Sequence, residues 1–314
     1  MSTQLPAETA YDVLVHGAIG TDYLLQLDGI PAAGEVRSIE REVRTVGGEA
    51  ATCALALAAW GARVCLCGNP LGNDSNGRFV VAQLALLPNL TLKAPVIEGF
   101  ETPYSVVMSA RGQPRAVLVR NAAAKSYDEA FASTQHTNWP LARLATCDGS
   151  LLSSTHHLAT HLQKCSTPLF ARDALLNPSV APLAEVVLLT DAFWPQSTQE
   201  QLSRMACERA AEWGSTVVIM CGAEGGVWCR AGEGPQHYAA VNIGDTDLPG
   251  STDLPGSTDL SGSVGAADVF RAGLLWSRLQ NWEWDRGLRF AAVAATLNCL
   301  EATVPSLGQI EAIV

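Results

Sequence analysis

Charge is scarce in this chain, for only 16% of its 314 residues are Asp, Glu, Lys or Arg. What charge there is leans one way, with 31 acids against 20 Lys and Arg and a formal net charge of −11. Such an acidic balance excludes nucleic-acid binding through an overall field. It also gives no general attraction to small anions, so any anion site must be built locally. No apolar run reaches the roughly 18 residues that a membrane helix needs. The first twelve residues lack the basic start and apolar core of a secretory leader, so a cytoplasmic location is expected. Cysteines number nine, an odd count at scattered positions. Most read as small buried hydrophobes in a reducing compartment. His156, His157 and His161 lie near Cys165 with helical spacing between 157 and 161, but no Cys pair or Glu completes a zinc site. A solvated helix face is expected there.

The interior is well supplied: 48% of the residues are hydrophobic, enough for one large α/β domain or two small ones. Strand and helix patterns alternate, which implies βαβ units and a parallel sheet. Residues 11–17 read as a buried first strand that closes on Gly17. Asp22 follows near its carboxyl end, where ligands gather in open α/β sheets. There it can accept from two adjacent hydroxyls, or serve as a turn cap. Gly47 and Gly48 open an alanine-rich helix over 50–60, with Thr52 in its first turn. Glycines at that place let the backbone approach a small ligand. Extended pieces lie between 24 and 46 and between 98 and 121, the second pair joined by a turn over 110–113. Residues 216–220 form a further buried strand, followed by a glycine-rich loop over 221–226.

The chain is organised around residues 262–273. Small residues, Gly262 to Ala267, run into the apolar helical pattern of Phe270, Leu274, Leu275 and Leu279. The first amides of such a helix have no internal partner, and together with the helix dipole they form an anion site suited to a phosphate in transfer. Asp268 falls in the first turn beside that site. It can orient an attacking hydroxyl, or merely favour the helix start.

Gly265-Ala266-Ala267-Asp268 resembles the Gly-Ala-Gly-Asp signature of the PfkB family of carbohydrate kinases. Val46-Gly47-Gly48-Glu49-Ala50-Ala51-Thr52-Cys53-Ala54, then Trp60-Gly61-Ala62 and the segment from Gly68 to Gly77, resemble that family's N-terminal motif in the right order. The resemblance runs from about Val13 to Ile310. Within the family the pattern is most similar to the ketohexokinase-like and sulfofructose-kinase-like branches, through Thr146-Cys147-Asp148-Gly149 and the segment from Glu185 to Phe193.

The resemblance implies a single ribokinase-like domain over 1–314: a three-layer α/β/α unit with a mostly parallel central sheet and a small β-sheet lid from about 24–46 and 98–121. It implies ATP-dependent phosphorylation of a hydroxymethyl group on a sugar or sugar-like substrate. Asp268 would be the base, and the amides of Gly265, Ala266 and Ala267 the anion hole. Asp22, Gly47, Gly48 and Thr52 would hold the acceptor, and Thr190, Gly222 and Gly225 would border ATP. Mg2+ would bridge the phosphates largely through water, with no dedicated protein ligands. The lid implies a homodimer. Departures from the family's pattern are Ala267 for glycine, Thr52 for asparagine and Met220 for threonine. A clear Asn-x-x-Glu is missing, with Trp194 where an acid is expected. They leave open an alternative, a catalytically impaired relative that binds sugar or nucleotide on the same fold. A six-residue near-repeat over 245–262, rich in Pro, Gly, Ser and Asp, reads as a loop expansion just before the signature, where the family has Asp-Thr-x.

Overall fold

A computed structural model describes residues 9–131, 139–241, 264–301 and 303–314. The near-repeat over 245–262 lies outside the described residues. The chain opens with β1 (Tyr11–Gly17), β2 (Gly20–Leu27), β3 (Ile39–Gly47), α1 (Glu49–Ala59), β4 (Val64–Gly68), β5 (Leu71–Gly72) and α2 (Ser75–Leu84). It continues through β6 (Leu90–Lys93), β7 (Val96–Ile97), β8 (Tyr104–Ala110), β9 (Gln113–Arg120), α3 (Ala122–Phe131), β10 (Ala142–Cys147), α4 (Leu152–Lys164) and β11 (Leu169–Arg172). It closes with β12 (Val186–Thr190), α5 (Gln199–Trp213), β13 (Thr216–Met220), β14 (Gly226–Arg230), β15 (Gln236–Tyr238), α6 (Ala266–Leu279), α7 (Trp284–Glu301) and α8 (Leu307–Glu311).

The central sheet has nine strands in the order β15-β14-β13-β12-β11-β10-β1-β4-β6. It is parallel except at β13–β14 and β14–β15. Its strands bury both faces, which is why they read as unbroken apolar runs. Val13 and Val15 join one core with α1, α6 and α7, while Leu14 joins the other with α4 and α5. The sequence order reverses at β1, which has β10 on one side and β4 on the other. In open α/β sheets a ligand crevice lies outside the carboxyl ends of the strands at such a point.

The lid is a four-stranded sheet, β3-β2-β8-β9. Two expectations are corrected here. The first lid pair starts at Gly20, so Asp22 lies inside β2 and not at the end of β1. Residues 36–38 are not strand, and Val36 stands 95% exposed. The first correction follows a break after Gly17, where the Ala18 amide leaves the ladder and donates to Asp148 Oδ2 at 3.0 Å.

The cysteines divide. Cys53, Cys65, Cys67 and Cys147 are buried and free, as expected of small hydrophobes. Burial pushes the Cys53 and Cys147 thiols up to about 11 and about 12, so they stay protonated and unreactive. Cys207 on α5 and Cys229 on β14 form a disulfide, which the reading of scattered, unpaired thiols did not anticipate.

Candidate active site

One cavity of about 1270 Å³ lies between the carboxyl ends of the central strands and the lid. Asp22, Gly48, Thr52, Thr190, Gly222, Gly225, Gly265, Ala266, Ala267 and Asp268 all line it. The ten come from β2, α1, β12, the loop after β13 and α6, so the topology gathers residues that are up to 246 positions apart.

Gly47 is the exception. It stands behind Asp22 and outside the cavity wall. A Cβ at Gly47 would lie 2.1 Å from Asp22 Cγ, so this glycine makes room for the carboxylate and not for a ligand. Asp22 is seated by the parallel register of β2 on β8, which sets it opposite Ser105. The Ser105 hydroxyl donates to Asp22 Oδ1 at 2.5 Å. Burial raises the Asp22 carboxyl, the Ser105 bond opposes that, and the charge of Asp268 adds to it.

Gly265 caps α6 with φ +81, a left-handed conformation that favours glycine. It accepts the Asp268 amide at 2.9 Å, and Thr52 Cγ2 packs close beside it. Asp268 is 5% exposed. Its charge state depends on more than the helix dipole. Burial raises its carboxyl above the usual range. Two guanidinium groups oppose that shift: Arg172 Nη1 donates to Asp268 Oδ1, and Arg271 Nη2 reaches the same oxygen at 3.2 Å.

Neither arginine was singled out from the sequence, although Arg271 falls within the stretch 262–273. Arg172 ends β11, and Arg271 is fully buried, one helical turn beyond Asp268. Arg271 also donates to the Cys147 carbonyl at 3.1 Å and the Glu49 carbonyl at 2.6 Å, tying α6 to β10 and α1. A lone cation on the apolar face of a helix, three residues from an acid, was the available signal for Arg271. Glu49, the first residue of α1, also lines the cavity, and its side chain lies 3.4 Å from Arg172. Burial pushes its carboxyl up to about 7.

On the opposite wall, Thr190 ends β12 and precedes Asp191, while Gly222, Ala223 and Gly225 form the loop between β13 and β14. Met220, Tyr238, Thr296 and Cys299 complete this side. Trp194 does not reach the cavity, and Asp191 is the acid on this wall. Among the described residues, no three His, Cys, Asp or Glu side chains gather into a metal cage. On the surface around His161, its Nε2 lies 3.5 Å from Cys165 Sγ, and His156 pairs with Ser179.

No family model and no curated protein matches the sequence. Solved structures do match. Ribokinase from Cryptococcus neoformans var. grubii serotype A, in complex with ADP, aligns with a TM-score of 0.74 at 18% identity over 96% of this chain and 99% of that one. The chain has the ribokinase fold. Arabidopsis thaliana ribokinase, complexed with ribose and ATP, aligns with a TM-score of 0.70 at 18% identity over 97% and 96% of the two chains. The nucleoside kinase of Burkholderia thailandensis, in complex with inosine, gives 0.69 at 16% identity over 96% and 95%. The three-layer architecture and small lid sheet expected from the sequence are therefore those of this fold. Among the described residues no helix is long and apolar enough to cross a membrane.

Proposed function

We propose that this chain is a PfkB-type carbohydrate kinase that transfers the γ-phosphoryl group of ATP to a hydroxymethyl group of a sugar or sugar-like alcohol. The observation that carries the reading is the meeting, in one cavity, of a helix N-terminus, an adjoining carboxylate and a second carboxylate on the lid. Phosphoryl transfer needs mainly alignment and charge stabilisation. The free amides at the start of α6 supply the second, acting on the transferring group. Asp268 accepts the hydroxyl proton, and Asp22 with Thr52 and Gly48 holds the remaining hydroxyls. The loop of Gly222 and Gly225, with Thr190, borders the nucleotide. Magnesium, when bound, neutralises phosphate charge. Such an ion keeps several waters and would be held mainly by the phosphates. The ribose, inosine, ADP and ATP seen in the fold's other members support a small polyhydroxyl acceptor and an adenine nucleotide.

A second reading has its own observation. Both arginines engage Asp268, so a chain in which they never release its basicity binds ligands without turnover. Thermal stabilisation by ATP, followed by ADP release over a panel of sugars and nucleosides, separates the two. Stabilisation with no turnover on any acceptor overturns the kinase reading.

The lid supports a homodimer. Its edge strand β9 exposes Val117, Leu118 and Val119, at 45%, 60% and 63%. A second copy pairing along this edge would cover them. Light scattering after gel filtration is expected to give twice the chain mass, and a monomer at micromolar concentration would contradict it. Deleting residues 251–262 removes two copies of the near-repeat and is expected to change stability by about 1 kcal/mol or less, because closure entropy varies slowly with loop length. Loss of ATP affinity at unchanged stability would instead make the repeat a functional flap.

A further inference from the structure

Among the described residues, Arg172 is the cation that forms side-chain ion pairs with both Asp268 and another acid of the cavity wall. Its side chain is 11% exposed and sits among three carboxylates. Nη1 donates to Asp268 Oδ1, Nη2 lies 3.4 Å from Glu49 Oε1, and Nε lies 3.3 Å from Asp173 Oδ2 without hydrogen-bond geometry. Arg271 also meets Asp268 at Oδ1. Both guanidinium groups thus hold the same oxygen, and Oδ2 is the one that neither takes. Asp268 itself forms part of the cavity wall. A carboxylate anchored through one oxygen can present the other to a hydroxyl at fixed distance, and such orientation is worth a large part of a catalytic barrier.

The surroundings of Arg172 and Glu49 are unbalanced. From α1 comes Glu49, with the Cys53 thiol behind it. The end of β10 brings Asp148, the end of β11 brings Arg172 and Asp173, and α6 brings Asp268 and Arg271. Asp22 on the lid acts on Asp268 from across the cavity. Around the two arginines this makes four carboxylates for two cations, in a largely dry setting. Glu49 is the most exposed of the four, with 34% of its side chain accessible, so it is the group best placed to take up a proton from solvent.

We propose that Arg172 is a positioning residue for Asp268, and that Glu49 competes for the same guanidinium and so sets the basicity of Asp268. The catalytic part of this proposal rests on the kinase reading, whereas the electrostatic part does not. With Glu49 ionised, Arg172 is shared and Asp268 is the stronger base. When Glu49 takes a proton from water, Arg172 is left to Asp268, whose basicity falls. Turnover therefore declines towards acid as Glu49 protonates.

The test has two arms on the full chain. In the first, Asp side chains are labelled with ¹³C at Cγ, and the Asp268 signal is identified by its loss in Asp268→Asn. The signal is titrated from about pH 4 to 9 without ligands. Arg172→Gln is expected to move the Asp268 titration up by at least about one pH unit, and Glu49→Gln to move it down. Arg172→Lys, which keeps charge but loses the fork, should fall between, and it decides the matter if Arg172→Gln does not fold. An Asp268 titration that does not move in the folded arginine variants overturns the proposal. In the second arm, Arg172→Gln lowers kcat by roughly tenfold to a hundredfold, with the acceptor KM within about threefold. Glu49→Gln flattens the acid limb of kcat between about pH 6 and 8. A merely structural Arg172 lowers the folded fraction and leaves the profile of the folded enzyme unaltered, which also overturns it. If the parent protein turns over no acceptor, the kinase reading fails, while the titration arm still decides the electrostatic proposal.

Discussion

Asp268→Asn is expected to lower kcat by roughly two to four orders of magnitude while nucleotide and acceptor affinities change little. Asparagine keeps the size of the side chain and an oxygen for the two arginines, but it cannot take the hydroxyl proton. The amides at the start of α6 are untouched, so the anion site persists. The fold should persist as well, because a neutral group at a position 5% exposed avoids the desolvation that raises the Asp268 carboxyl. Steady-state kinetics of parent and variant with the best acceptor of the panel check this. Parental kcat in the variant means that the activity belongs to another protein or that the base has been misassigned. The raised carboxyl gives a sign for pH as well. The base must be ionised, so the parent's kcat falls as pH drops through the folded-state value of Asp268, above the ordinary Asp range. Ala267→Gly is the companion measurement. Ala267 lines the cavity beside the anion site, so a rate increase on restoring glycine would show that the methyl crowds the phosphoryl group.

The positions of the candidate residues were legible because they sit in local signals. A glycine pair opening α1 and small residues opening α6 are punctuation that backbone geometry demands. The unbroken apolar runs of β1, β12 and β13 pointed to a sheet covered on both faces. What could not be read is whatever depends on topology. Arg172 and Asp268 are 96 residues apart, and only the order of β10, β11 and β12 in the sheet brings the end of β11 under α6. Glu49 looked like an ordinary acid in the first turn of a helix, which is favourable on dipole grounds. Its carboxyl pushed up to about 7 comes instead from burial in company with Asp148 and Asp173, supplied by two other strands. The same omission affected Asp268. The dipole argument considers one helix, whereas the causes at work are tertiary: burial raises the carboxyl above its usual range although both arginines oppose that shift. Gly47 shows the reverse case. It was singled out for close approach to a ligand, whereas the close approach it permits is to Asp22.

Arg271→Met should be the most destabilising single change in the site, by about 3–5 kcal/mol in denaturant unfolding. Methionine fits the space of the stem, so the loss is electrostatic and not a matter of volume. Arg271 is fully buried, and removing its charge leaves Asp268 and Asp148 short of a cation in a dry interior. It also takes one donor from each of the Cys147 and Glu49 carbonyls. Both carboxyls are already raised by burial, and without Arg271 they rise further. The folded variant then binds protons more tightly than its unfolded chain. Its stability deficit should therefore be largest at high pH and shrink as pH falls towards the unfolded carboxylate values. A double-mutant cycle with Asp268→Asn isolates the pair. Neutralising Asp268 in the Arg271→Met background should recover part of the loss, because the stranded charge goes with it. A deficit that is independent of pH and is not relieved by Asp268→Asn would instead mean that Arg271 acts through its two carbonyl bonds, with the ion pair contributing nothing.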